Sequence, residues 1–174
     1  MIVEFKVPGI PRAWARTRKG YNRHIGREVW YPTPENLGQR QMIRTFALSA
    51  IRGNRPDFPW AGPIIAGFCF LLPRPRRVTQ ENSHAPTAKP DLDNLEKLVL
   101  EALTDVIWRD DRQVVGWLPF PLHGKVYADG SVQPQTGVLA LRLSDYFRNW
   151  KDIVARVTDE VNLLKDPPAS RRPG

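Results

Sequence analysis

The stretch KPDLDNLEKLVLEAL, residues 89–103, gathers side chains whose types and spacing could do chemistry. Between positions 89 and 112 stand Asp91, Asp93, Glu96, Glu101, Asp105, Asp110 and Asp111, against Lys89, Lys97, Arg109 and Arg112, in a chain of net charge +8. A local island of one sign in a field of the other wants a reason. Hard cations such as Mg²⁺ or Mn²⁺ take oxygen ligands, typically one or two carboxylates with water and phosphate oxygens. Asp91 and Asp93 from a helix start, joined by Asp111 from a strand edge, could converge on such an ion. Without it adjacent carboxylates repel, and at least one holds its proton more tightly. An ion there would activate a water and stabilise charge on a scissile phosphate. Lys97, one turn beyond Asp93, is placed to neutralise charge developing on the phosphoryl oxygens.

The same residues admit a purely structural account. Asp is a preferred N-cap, and Asp93 followed by Glu96 has the spacing of a capping box. Lys97 lies four residues from both Asp93 and Glu101, so the three could form an ion-pair ladder of about 0.2–0.5 kcal/mol per pair. Asp110 and Asp111 could be turn residues. On the residues alone both accounts stand.

The elements that must position this island follow from periodicity. IVEFKV (2–7) alternates as a half-buried strand. The following PGIPRAWARTRKGYNRHIGR is expected to lack regular structure and concentrates Lys and Arg. Thr33-Pro34-Glu35 opens a helix running to about Arg52, with Ile43, Phe46, Ala47, Ala50 and Ile51 inward. IIAGFCFLL (64–72) reads as the central strand, and residues 74–90 as a long basic loop. Pro90 favours a helix beginning just after it, from 91 or 93 to about 104. Its Leu92, Leu95, Leu98, Val99, Ala102 and Leu103 share the core face, while Asp93, Lys97 and Glu101 lie opposite. QVVGWL and GVLALRL are strands, joined by what could be an extended hairpin turning at Asp129-Gly130. A final helix at 145–165 carries an apolar stripe suited to packing within the fold or against a second subunit. The expected fold class is α/β (α+β): one domain over 1–165 with a small mixed or antiparallel sheet packed by helices, and a flexible C-terminal tail at 166–174.

The 174 residues suit one domain with a hydrophobic core. A pI near 10.1 points to a polyanionic partner, nucleic acid first. Cys69 is the only cysteine, which excludes internal disulfides and thiolate zinc sites, and within its apolar run it reads as a core residue. The longest apolar run is too short to span a bilayer, and the N-terminus lacks a signal-peptide layout, so a cytoplasmic location is expected. No Gly-rich phosphate loop indicates a nucleotide cofactor. His24, His84 and His123 are isolated, so a histidine-based nuclease is poorly supported, although His84 could approach the site from the loop before Asp91.

At this point KPDLDNLEKLVLEAL…VIWRDDRQVV closely resembles the signature of the RusA-like Holliday junction resolvases, small dimeric Mg²⁺-dependent endonucleases of phages and prophages that act in DNA recombination and repair. The resemblance rests on the paired Asp with Asn following (DLDN), the Lys four residues after the second Asp, and the downstream W-x-D-D-x-Q-V. The N-terminal F-x-V-P-G-x-P with its basic loop is similar as well. By this resemblance Asp91, Asp93 and Asp111 match the family's metal-binding carboxylates, with the neighbouring Asp110 able to share or support that role, and Lys97 matches its catalytic lysine, with Mg²⁺ as cofactor and Mn²⁺ able to substitute. It implies a homodimer that nicks a four-way DNA junction symmetrically, with Arg12, Arg16, Arg18, Lys19, Arg74, Arg76, Arg77 and Lys89 as candidate phosphate contacts. Trp14, amid the basic loop, could stack on a base, or pack in the core or an interface. Glu101 departs from the family's usual Asp, and the C-terminal helix extends past the shortest members. The alternatives are a non-catalytic branched-DNA-binding protein and a metal-dependent nuclease for flap or duplex DNA.

Overall fold

Strand β1 (Ile2–Pro8) buries Val3, Phe5 and Val7 and exposes the residues between them. It pairs antiparallel with β7 (Gln135–Arg142), which pairs antiparallel with β4 (Ile64–Leu72). The structure, a computed structural model, describes residues 1–15, 18–76, 86–87, 89–128 and 132–165. Along the other edge of β4 run β5 (Val114–Trp117) and β6 (Gly124–Tyr127), both parallel to it, so the five-stranded sheet is mixed. This is the expected α+β class, with 64–72 at its centre.

Helices cover both faces. Helix α1 (Pro34–Ala50) and α2 (Leu92–Leu103) bury Ile43, Ala47, Leu95, Val99 and Leu103 against Phe5, Phe68, Phe70 and Val138. Each large apolar side chain removed from water there contributes about 1.5–3 kcal/mol. On the second face α3 (Leu143–Lys165) sets Ile153 against Ile65, Leu118, Leu139 and Leu141. Strand alternation divides β4 between these two cores: Ile64, Ala66, Phe68 and Phe70 serve the first and Ile65 the second. Cys69 points to the second side and is only half-buried, because α3 covers that face incompletely. No helix among the described residues is long and apolar enough to cross a membrane.

Two local expectations are corrected. Within the segment expected to be irregular, β2 (Arg18–Asn22) and β3 (Arg27–Tyr31) form an antiparallel hairpin. Its turn is fixed locally: the Asn22 side chain accepts from the His24 and Ile25 N–H groups, and Gly26 adopts φ +64°, a conformation glycine takes without steric cost. Residues 119–136 do not form a hairpin among their described positions. Instead β6 continues the ladder begun by β5 on the same edge of β4, which leaves the opposite edge to β7. Asp129 and Gly130 lie outside the described residues, as does the tail at 166–174.

Candidate active site

Helix α2 begins where the sequence placed it, with Asp91 at the N-cap (φ −69°, ψ 143°) after a cis Lys89–Pro90 bond. The Pro90 carbonyl accepts from Lys125 Nζ at 2.9 Å, which ties this helix start to strand β6. Asp91 makes no side-chain capping hydrogen bond, although its type and position suit one. Both Asp91 and Asp93 are exposed. Their oxygens are therefore not consumed by the helix. The capping box that the spacing of Asp93 and Glu96 allowed is not formed, because the N-cap lies two residues earlier and Glu96 has another partner.

That partner is His123, whose Nε2 lies 3.0 Å from the Glu96 carboxylate. The Nδ1 of the same ring accepts the Phe68 N–H at 3.3 Å, so the ring proton sits on Nε2 and is donated to Glu96. The imidazole stacks on Trp117 with centroids 4.4 Å apart. Burial holds the His123 pKa below its ordinary value, and burial followed by the neighbouring Asp93 charge raises that of Glu96. An adjacent carboxylate would favour imidazolium, but the occupied Nδ1 and the burial oppose it, and the neutral ring is the consistent state. His123 is thus not isolated, as its sequence context suggested. Nothing in the sequence pairs positions 96 and 123.

Lys97 does not join the ladder with Asp93 and Glu101 that the purely structural account offered. Its ammonium stands 4.0 Å over the Trp14 ring, and Glu101 lies 3.6 Å from Arg40. The backbone around Trp14 is clamped to both helices. Trp14 N–H donates to Asn94 O on α2, while Asn36 on α1 accepts from Ala15 N–H and donates to Ala13 O. Helix α1 offers Asn36 for this because Thr33 caps its first turn, accepting from Asn36 N–H.

The second acidic pair is built differently. Asp110 caps a single 3₁₀ turn (Asp111–Gln113) in a capping box with Gln113, and its carboxylate accepts from the Arg112 backbone and guanidinium. Those bonds hold its pKa well below the usual carboxylate range. Asp110 is therefore engaged structurally, while Asp111 beside it is exposed. Gln113 donates to the carbonyls of Trp60 and Gly62, fixing the turn at the start of β4.

That location separates Asp111 from Asp91 and Asp93. Val114 pairs with Ile64, whereas Lys125, which holds Pro90, pairs with Phe70, six residues further along β4. At strand rise this is on the order of 20 Å, and α2, running back between the two ends, spans a similar length. Among the described residues no three His, Cys, Asp or Glu side chains converge closely enough to hold an ion. The expected convergence of Asp111 with Asp91 and Asp93 is thus not made within one chain, because helix and strand hold them at opposite ends. What the α2 start does offer is a pair of exposed, uncommitted carboxylate oxygens, a donor set that fits a hard cation needing further oxygen ligands.

Of the candidate phosphate contacts, Arg12, Arg76 and Lys89 are exposed. Lys19 pairs across the hairpin with Glu28 on a surface where such pairs contribute little. The Arg74 guanidinium lies 5.3 Å from the Tyr127 ring centroid. Arg18 belongs to β2, and Arg16, Arg77 and His84 lie outside the described residues.

A search of curated proteins returned no match to the chain. A family profile described as Endodeoxyribonuclease RusA matches residues 8–132, from the end of β1 through α2 and the Asp110–Asp111 turn to just before β7. With most of its length matched, including the whole acidic island, the chain belongs to the RusA endodeoxyribonuclease family.

Proposed function

We propose that the protein is a Mg²⁺-dependent, structure-selective endonuclease that resolves four-way DNA junctions as a homodimer, by paired symmetric nicks. The observation that carries this reading is the N-terminus of α2, where exposed Asp91 and Asp93 stand uncommitted with Lys97 one turn beyond. Bound there, Mg²⁺, or Mn²⁺ in its place, would lower the pKa of an attacking water and offset charge on the scissile phosphodiester. Asp91 and Asp93 would hold the ion. Lys97 would donate to a non-bridging phosphate oxygen, worth most where charge accumulates in the transition state. Arg12, Arg76 and Lys89 would fix the DNA backbone without reading bases, leaving selectivity to junction shape.

Asp111 enters through the dimer. Because one chain holds it on the order of 20 Å from Asp91 and Asp93, Asp111 of the second protomer would complete each site. Two such sites related by a two-fold axis suit a substrate with matching pseudo-symmetry.

The test is cleavage of a labelled four-way junction with and without Mg²⁺, by wild type and Asp93→Asn, beside flap and linear duplexes. Paired metal-dependent nicks near the crossover, absent in the variant while binding persists, support the reading. Tight junction binding with no cleavage in either metal would make the protein a binding module. Equal cleavage of flap or duplex DNA would make it a less selective nuclease.

A further inference from the structure

Lys97 stands where a lysine should be lost to its neighbours. On an α-helix the residues four before and four after share its face, and here both are acids, Asp93 and Glu101. Pairing with Asp93 would place a fixed positive charge on a carboxylate proposed to hold a cation. It would also withdraw the ammonium from the phosphate. The structure shows neither pairing. Glu101 is taken by Arg40 from α1, and the ammonium sits 4.0 Å over the face of Trp14.

An indole face is an unusual partner for such a lysine because it carries no net charge. It attracts the ammonium through the ring quadrupole yet leaves the full positive charge free to act on an incoming phosphate. The Trp14 ring is not held by chance. Its backbone N–H donates to Asn94 O at 2.7 Å, so the ring is anchored to the same helix that carries Lys97. The peptide groups on either side are gripped by one side chain, with Asn36 Oδ1 accepting from Ala15 N–H at 2.8 Å and Asn36 Nδ2 donating to Ala13 O at 3.0 Å. Asn36 is 3% exposed, and its oxygen also accepts from the Thr33 hydroxyl. A buried amide with both ends satisfied fixes its partners more tightly than a surface contact would.

We infer that Trp14 is a positioning residue for Lys97. Clamped by Asn36 and Asn94, its ring keeps the lysine out of the ion-pair ladder and holds the ammonium where a phosphate can take it. This rests on the proposed role of Lys97. It differs from the reading of Trp14 as a stacking platform for a base, in which the ring itself would touch DNA.

Two measurements on the intact chain test it. In metal-free protein, the Lys97 side-chain methylene protons should show an upfield ring-current shift by NMR that disappears in Trp14→Leu and weakens in Asn36→Ala. In single-turnover cleavage with enzyme in excess, Trp14→Leu should be slower by about tenfold, with junction affinity and melting temperature within error of wild type. Trp14→Tyr should fall between them. The Trp14→Leu effect should vanish in a Lys97→Gln background, since a merely structural role would persist there. Unchanged cleavage by Trp14→Leu would overturn the inference. So would parallel loss of affinity and rate, which would make the ring a DNA contact, or an equal loss in the Lys97→Gln background. If wild type itself cleaves no branched, flap or duplex DNA in Mg²⁺ or Mn²⁺, the proposed function falls and takes the inference with it.

Discussion

At the scale of single residues, the two ends of the acidic island separate by what their carboxylates already do. Asp110 is consumed by Arg112 and the capping box, whereas Asp91 and Asp93 are exposed and Asp91 leaves its own helix uncapped. Asp93→Asn keeps the shape but removes the charge, and should lower cleavage by about 10³-fold with little change in junction affinity. Asp110→Asn should instead loosen the turn that carries Asp111, so its loss should appear in thermal melts as well as in rate. His123 gives a pH signature. The unfolded imidazole takes up a proton near its ordinary value of 6.5, while burial depresses the folded value. The neutral ring's contribution to stability is therefore complete above pH 6.5 and lost as the pH falls below it. Glu96 has the opposite sign, since its raised pKa favours the fold as pH falls toward its ordinary 4.5. Melting temperatures at pH 7.5 and 5.5 should show a smaller acid loss in His123→Gln than in wild type, and an equal loss would refute the assignment.

At the scale of elements, α2 is held at both ends by parts distant in sequence. Its start is tied by Lys125 to β6 and by Asn94 to the Trp14 segment. Its end runs into Asp105, which adopts φ +63° while its N–H donates to Trp108 O. A left-handed conformation costs a non-glycine residue about 1–2 kcal/mol, less for Asp than for most. Asp105→Gly should therefore raise stability by no more than about 0.5 kcal/mol by denaturant titration, because the strain relieved is offset by glycine's greater freedom in the unfolded chain, and should not alter cleavage. The basic elements act differently. Removing Arg12, Arg76 or Lys89 singly should weaken binding about equally for all junction sequences, and should flatten the slope of log K against log salt by about 0.9 for each phosphate left without its cation. A variant whose slope is unchanged would show that its residue does not touch a phosphate.

For the whole molecule, the proposed sharing of Asp111 across a dimer makes a prediction that a self-contained site would not. Asp93→Asn and Asp111→Asn homodimers should both be inactive. Mixed dimers should recover one working site, because one protomer keeps Asp93 and the other keeps Asp111. They should make single nicks rather than paired ones. If each chain completed its own site, mixing would restore nothing, since every protomer would lack one ligand. Gel analysis of nicked and doubly cut junctions from purified heterodimers decides between these.

The periods of β1, α1 and α2 were legible in the sequence because each buries one regular face, and β4 was legible as a continuous apolar run, the mark of a strand covered on both sides. The family signature was legible for a related reason: paired aspartates, the lysine one turn on and the D-D-x-Q-V turn are local patterns, read over short spacings. The β2–β3 hairpin was hidden because β2 (RKGYN) is short and mostly polar, while Val29, Trp30 and Tyr31 in β3 follow one another and leave no apolar alternation to detect. The parallel pairing of β6 was hidden because strand partners are chosen by the sheet and not by the segment itself. Only the tertiary structure decided which charges meet. Local spacing allowed Lys97 two acidic partners, and the fold gave it an aromatic one from residue 14. Local spacing allowed the three aspartates one site, and a helix and a strand, both rigid at fixed rise per residue, set them at opposite ends. Sequence determines which groups are present and the period at which they repeat. Distances between groups on different elements are set by packing, and packing is a property of the whole chain.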